Sequence, residues 1–236
     1  MKYINLIIGG SSGIGREIVK LQSQSKEILI ATFNKNPSNL PEVNNMITFK
    51  LDLFSEDNIV SFVKFIGNMK GKIKRIFLVS AIPGFQSPDL SFSKKPSLED
   101  MVKFGTVNCF SYVKLLSEII TQALIKEDCK ICVLSSLAGS ISLRGKLVHN
   151  KPGGNLPYRI SKAALNCAVK NISYDLSQQY PKVTIFAVHP GWLQNFDKKS
   201  NLSVKESANR VLNLVEAVNP SQSGLFLDSL GTPLEF

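Results

Sequence analysis

The chain has 236 residues, 44% of them hydrophobic, and carries 28 Lys and Arg against 18 Asp and Glu for a net charge of +10. That is enough apolar material for a sizeable core, while no stretch approaches the roughly 18 consecutive apolar residues a membrane span needs. The run from Met1 to Ile8 is too short for a secretory signal and is broken by Asn5, so a cytoplasmic protein is expected. The basic residues are scattered (Lys20, Lys35, Lys50, Lys72, Lys130, Lys170), with no dense run and no aromatic interleaving, which favours a solvated Lys-rich surface over a nucleic-acid patch.

Residues Tyr3 to Ile8 form a short β-branched-rich run suited to a central parallel strand. The run passes into Gly9-Gly10-Ser11-Ser12-Gly13-Ile14-Gly15 and then an amphipathic helix from Arg16 to about Gln24. Strand, glycine turn and helix in that order is the context a phosphate-binding turn requires. Gly9 permits the tight turn, Gly13 lets the backbone approach a pyrophosphate, and Gly15 lets the helix pack close to the strand, with the helix N-terminus supplying N–H donors.

A second strand, Glu27 to Phe33, ends in Asn34-Lys35-Asn36. An acidic residue there would hold the ribose 2′-hydroxyl of NAD and a basic one the 2′-phosphate of NADP. There is no Asp or Glu, and Lys35 tilts the charge toward NADP over NAD. The third strand, Met46 to Leu51, leads to Asp52-Leu53, where Asp52 can accept from an adenine amine and Ser55 is placed to cap the helix Glu56 to Met69. A fourth strand, Arg75 to Ala81, opens into an irregular loop marked by Pro83, Pro88 and Pro96, of the length that is usually functional at a sheet's carboxyl edge.

Ser97 and Glu99-Asp100 start a long helix to about Lys126, with Gly105 as its weakest interior residue and Asn108 within it. A buried mid-helix Asn is either satisfied locally or holds a water or side chain in place. Cys129-x-x-Cys132 has a spacing that zinc or dithiol sites use, but it falls on a buried strand, where residues three apart point to opposite faces. Two structural cysteines in a reducing compartment are expected, and the two histidines, His149 and His189, are too far apart for a metal cluster. That strand ends in Leu134-Ser135-Ser136-Leu137-Ala138-Gly139, whose hydroxyls either satisfy backbone donors or donate to a substrate carbonyl. A Gly-, Lys- and Asn-rich loop from Ser142 to Pro157 precedes a helix from Tyr158 to about Gln179. The strand Val183 to Val188 then gives way to His189-Pro190-Gly191-Trp192-Leu193. A helix from about Val204 to Val218 and a short strand, Leu225 to Leu227, complete a strand–helix alternation that argues for one α/β domain over residues 1–236.

Tyr158 and Lys162 fall one turn apart on one helix face. An ammonium that close favours the phenolate and should lower the phenol pKa from its usual value of about 10, making a general acid/base near neutral pH.

Together these motifs resemble the short-chain dehydrogenase/reductase family. The stretch Ile8 to Gly15 is similar to its T-G-x-x-x-G-x-G turn, with Ile8 where threonine is usual. Asn108, Ser136, Tyr158 and Lys162 fall in the order and context of its catalytic tetrad, and Pro190-Gly191 matches its motif after the sixth strand. Gly139-Ser140-Ile141, the Tyr158 to Asn166 run, His189-Pro190-Gly191-Trp192 and Ser223-Gly224-x-Phe226-x-Asp228 resemble the C-factor-like branch. The departures are Val79-Ser80-Ala81-Ile82 in place of N-N-A-G, Asn34 where NADP-preferring members are usually basic, and Asn195 where a threonine is common. The Ser136-to-Tyr158 spacing is longer than usual, which makes the Leu143–Leu156 loop part of a substrate lid.

The resemblance implies a Rossmann-type, doubly wound α/β fold: a seven-stranded parallel sheet ordered 3-2-1-4-5-6-7, helices on both faces, and NADP or NAD across the carboxyl ends. It implies cofactor contacts from Gly9, Ser11, Ser12, Gly13 and Ile14, then Asn34, Lys35, Asp52 and Leu53. Ser80, Ala81, Tyr158, Lys162, Pro190, Gly191 and Trp192 would complete the set. Tyr158 would exchange the proton with a carbonyl or alcohol oxygen held by Ser136, Lys162 would lower its pKa and bond the nicotinamide ribose, and Asn108 would position a water relaying protons from Lys162. Leu90, Phe92, Leu143, Trp192 and Phe196 are candidates for an apolar pocket lining. A homodimer or homotetramer acting on a small carbonyl or alcohol substrate is expected. The alternative is a C-factor-like signalling protein that binds NAD(P) without turnover.

Overall fold

A computed structural model defines the structure over residues 2–84, 95–146, 155–194 and 200–236. Pro88, Leu90, Phe92, His149, Asn195, Phe196 and the 147–154 part of the expected lid lie outside these residues. Seven parallel strands form the sheet: β1 (Tyr3–Ile8), β2 (Ile28–Phe33), β3 (Met46–Lys50), β4 (Lys72–Leu78), β5 (Ile125–Leu134), β6 (Thr184–His189) and β7 (Phe226–Asp228). Their order is 3-2-1-4-5-6-7, so the chain winds outward from β1 to β3 and then crosses to begin the other half at β4. The reversal between β1 and β4 opens a crevice at the carboxyl ends, where ligands of such sheets bind.

Both sheet faces are covered, which is why the strands are apolar almost throughout. Alternate side chains feed two cores. Leu6, Ile76, Ile131 and Ile185 pack with Phe62 of α2 (Glu56–Asn68), Leu116 of α4 (Ser111–Thr121) and Val169 of α5 (Leu156–Gln179). Ile7, Phe77, Cys132 and Phe186 pack with Ile18 of α1 (Gly13–Leu21) and Val211 of α6 (Val204–Ala217). Cys129 belongs to the first core and Cys132 to the second, as their strand spacing predicts, and burial raises both thiol pKa values.

Three features of the elements differ from expectation. The long helix is two helices, α3 (Leu98–Gly105) and α4, joined by a π-helical turn at Thr106–Phe110 that contains Asn108. It also stops at Thr121 rather than near Lys126: Ala123 adopts φ 52° and the Leu124 N–H folds back onto the Ile119 carbonyl at 3.1 Å. Lys126 therefore lies in β5, where it pairs with Asp128 at 2.8 Å. β4 begins at Lys72, earlier than expected, because Lys72 pairs in register with Tyr3 of β1, a tertiary constraint that local composition does not carry. Ser55, Ser97 and Ser203 cap α2, α3 and α6 through their hydroxyls. Among the described residues, no helix is long and apolar enough to cross a membrane.

Candidate active site

The turn between β1 and α1 is pinned to β2. Gly9, at φ 99°, donates its N–H to Thr32 Oγ1 at 3.0 Å, and Gly10 donates to the Thr32 carbonyl at 2.9 Å. A Cβ on Gly15 would lie 2.1 Å from the Gly9 carbonyl oxygen, so the first turn of α1 rests directly on the loop. Ser12 makes no side-chain cap bond and α1 has no acidic residue in its first turn, which leaves the positive helix end for an anion.

A cleft of about 870 Å³ opens over this turn. Its walls include Gly9, Ser11, Ser12, Gly13 and Ile14 from the turn, Asn34 and Lys35 after β2, Asp52 and Leu53 after β3, and Ser80 and Ala81 after β4. These residues, predicted separately along the chain, are brought to one surface. Asn34 and Lys35 are exposed at the end where an adenosine ribose would lie, and a second hollow shares both and runs on toward Leu98 and Lys103 of α3. The uncapped helix end, the glycine turn that a side chain would fill and the cleft's size all fit a dinucleotide. Asp52 also has local work, its Oδ1 accepting the Phe54 N–H at 3.0 Å.

Leu134 lines the cleft, and the candidate catalytic residues lie just beyond it in the chain and around it in space. Ser136, extended at the end of β5, caps the 3-10 turn Leu137–Gly139 by accepting the Ala138 N–H at 3.1 Å. Its hydroxyl lies near the Tyr158 phenol, in the first turn of α5, and acts to lower the phenol's pKa. One turn on, Lys162 is 2% exposed, donates from Nζ to the Leu134 carbonyl at 2.8 Å, and stands over the Tyr158 ring, 5.9 Å from its centroid. The loop after β4 covers the other side: a Cβ on Gly84 would be 3.0 Å from the Tyr158 ring.

The electrostatics differ from the sequence expectation. Burial raises the Tyr158 pKa, opposed by the Ser136 hydroxyl and the Arg159 charge; Lys162 is not what offsets it. The amine points at a backbone carbonyl, and burial pulls its own pKa down to about 8, with Cys109 acting in the opposite sense. At neutral pH the phenol keeps its proton and the amine is charged.

Asn108 is fully buried, and its side chain grips the chain after β4. Its Oδ1 accepts the Ile82 N–H at 2.7 Å, while Nδ2 donates to the Ile82 carbonyl at 3.1 Å and to Ser161 Oγ at 3.0 Å. With both amide hydrogens so engaged, the side chain is a brace rather than a holder of water.

Pro190, Gly191 and Trp192 follow β6, but the cleft wall on that side is Leu193. The Pro190 carbonyl accepts the Ser207 hydroxyl at 2.7 Å, and Trp192 meets His189 edge to face at 5.7 Å. His189 is held neutral, burial lowering its pKa to about 4 against the pull of Asp228. Sequence reasoning missed Thr32 and Leu193. Thr32 carried a weak signal, as the one hydroxyl in the apolar run of β2.

Fold and site together define a dinucleotide-dependent enzyme. The profile of the short chain dehydrogenase family matches residues 4–205, and the chain belongs to that family. It is 33% identical over 135 residues to C-signal of Myxococcus xanthus, an alignment covering 56% of this chain and 76% of that protein and in keeping with the C-factor-like branch. It is 27% identical to an uncharacterized oxidoreductase of Saccharomyces cerevisiae, with 96% and 94% of the two chains covered. Among solved structures, NADPH-bound carbonyl reductase from chicken fatty liver superposes with a TM-score of 0.82 at 21% identity over the full length of both chains, a likeness of fold. The protein is thus a short-chain dehydrogenase/reductase, an NAD(P)-dependent oxidoreductase.

Proposed function

We propose that the protein reduces a carbonyl compound to a secondary alcohol with NADPH, with Tyr158 as the proton donor. The observation that carries this is Tyr158 beside Ser136 and under a buried, charged Lys162, whose Nζ is 5.9 Å from its ring centroid, next to a dinucleotide-shaped cleft. The bound nicotinamide supplies the hydride. Ser136 holds the carbonyl oxygen by donating to it, and the Tyr158 hydroxyl delivers its proton to that oxygen. A Lys162 ammonium turned from the Leu134 carbonyl toward the phenol during the reaction would stabilise the negative charge left there, an effect enlarged by its dry surroundings. Asn108 acts as a positioning residue through Ile82 and Ser161.

Lys35, with no carboxylate beside it after β2, favours the 2′-phosphate of NADP, and NADP-bound relatives of the same fold are in keeping with that choice. Ser11 to Ile14 hold the pyrophosphate, while Pro190, Gly191 and Trp192 serve the nicotinamide end. The whole chain works as one dinucleotide-binding domain. Phe110, Ile160 and Tyr174 are exposed at 58%, 45% and 71% on the π-helical turn and α5, which supports self-association as a homodimer or homotetramer. A monomer in light scattering would contradict that part.

The test is NADPH oxidation with a panel of aldehydes and ketones, wild type against Tyr158→Phe. Turnover that falls at least about a hundredfold in the variant supports the assignment, and equal rates overturn it. A second reading, a regulatory protein that binds NADPH without turnover, is favoured by the similarity to C-signal. Tight NADPH binding with no oxidation on any carbonyl would select it.

A further inference from the structure

We propose that Tyr112 is a positioning residue for the dinucleotide cleft, its hydroxyl fixing the Ser80–Ile82 floor from beneath and linking that floor to the helix that carries Tyr158. The inference rests on the reading of the cleft as an NADPH site. Tyr112 lies in the first turn of α4, is 1% exposed, and donates its hydroxyl to the Ser80 carbonyl. Burial raises its pKa, so it remains a donor at any working pH.

Ser80 is the point where this brace meets the phosphate turn. Its N–H donates to the Ile8 carbonyl at 2.8 Å, and its backbone packs so closely on the turn that a Cβ at Gly9 would be 2.7 Å from the Ser80 nitrogen. Asn108 and Tyr112, four residues apart, both reach this segment, one at Ile82 and the other at Ser80. Asn108 also bonds Ser161, whose hydroxyl donates to the Tyr158 carbonyl at 2.8 Å. A continuous set of contacts therefore runs from Gly9 through Ser80, the inner face of the π-helical turn and α4, and Ser161 to the backbone of Tyr158. Val79-Ser80-Ala81-Ile82 contains no amide side chain of its own, and the helix beneath supplies the hydrogen bonds that hold it.

Removing the Tyr112 hydroxyl keeps the ring in its packed site and strips one partner from the Ser80 carbonyl, so the change is felt at the floor that a nucleotide rests on. The experiment titrates NADPH against the intrinsic fluorescence of the wild type, Tyr112→Phe and Ile119→Val. Ile119 is fully buried in the same helix and does not line the cleft, so its loss of one methyl group serves as a control for stability alone. The expected result is about a tenfold rise in Kd for Tyr112→Phe, a matching rise in KM for NADPH, and kcat within about twofold of wild type, while Ile119→Val binds as wild type does. A Kd for Tyr112→Phe within about twofold of wild type overturns the proposal, as does equal weakening in both variants. A wild type that binds neither NADPH nor NADH overturns the cofactor reading, and this inference with it.

Discussion

Ser136 at the end of β5 stands beside Tyr158 at the start of α5, and its hydroxyl is aimed by accepting the Ala138 N–H at 3.1 Å. The serine therefore has a fixed orientation before substrate enters. Ser136→Ala is expected to lower kcat for carbonyl reduction by about 10² to 10³, the size of effect seen when one donor to a reacting oxygen is removed. Loss of the cap costs about 1 kcal/mol, a shift of about 2–4 °C in melting temperature for a chain of this length. Steady-state kinetics and a thermal melt on the same preparation separate the two effects.

Lys162 should set a pH limit on the proposed reduction. Its folded pKa is lowered to about 8 by burial, so the ammonium is present at pH 7 and is lost as pH rises through 8. Tyr158 is shifted upward and keeps its proton over that range. The rate of carbonyl reduction should then be level below pH 7 and fall along a descending limb centred near pH 8. A profile that stays level to pH 10 would show that the amine holds its proton in the working enzyme.

Two glycines of the phosphate turn should behave differently. Gly15→Ala places a methyl group 2.1 Å from the Gly9 carbonyl oxygen and must move backbone, so destabilisation of about 3 kcal/mol or more is expected, with loss of NADPH binding. Gly13 has φ 52° with nothing within 4 Å of a built Cβ. Gly13→Ala should cost only about 1 kcal/mol, for the left-handed backbone alone. Urea denaturation of the two variants gives the order directly.

Acid stability should depend on Glu27. Hydrogen bonds from Lys74 first, and then Ser25, lower its carboxyl pKa to about 2. A carboxylate whose folded pKa lies below its unfolded value contributes stability above the unfolded pKa and loses it as pH falls through the folded one. Glu27→Gln is therefore expected to lose on the order of 2 kcal/mol at pH 7, and the difference from wild type should vanish as the pH approaches 2. Denaturation curves at several pH values check both the size and the convergence.

Much of this fold was legible because its signals are local. The apolar run into a glycine turn placed β1 and α1, and alternating strands and helices gave the parallel sheet. Cys129 and Cys132 were assigned to opposite faces by strand geometry alone. That Tyr158 and Lys162 lie side by side was legible from spacing, since residues one helical turn apart share a face. What could not be read depends on contacts between distant segments. The start of β4 follows from Lys72 pairing with Tyr3, and the early end of the long helix from a left-handed Ala123. The direction of the Tyr158 shift was misjudged because spacing shows how near Lys162 is but not where its amine points. Thr32 and Tyr112 carry no motif; they matter only because the fold brings them under the glycine turn and the Ser80 carbonyl.

Gly139 has no reactive atom, yet a Cβ there would stand 2.6 Å from the carbonyl carbon of Lys162. In a saturation-mutagenesis screen read out by turnover, this position would score as intolerant as the amine-bearing one it touches. A purely statistical reader of such a screen would assign it a chemical part. Its intolerance would instead measure clearance: how little room separates the end of one strand from the helix that carries Tyr158 and Lys162.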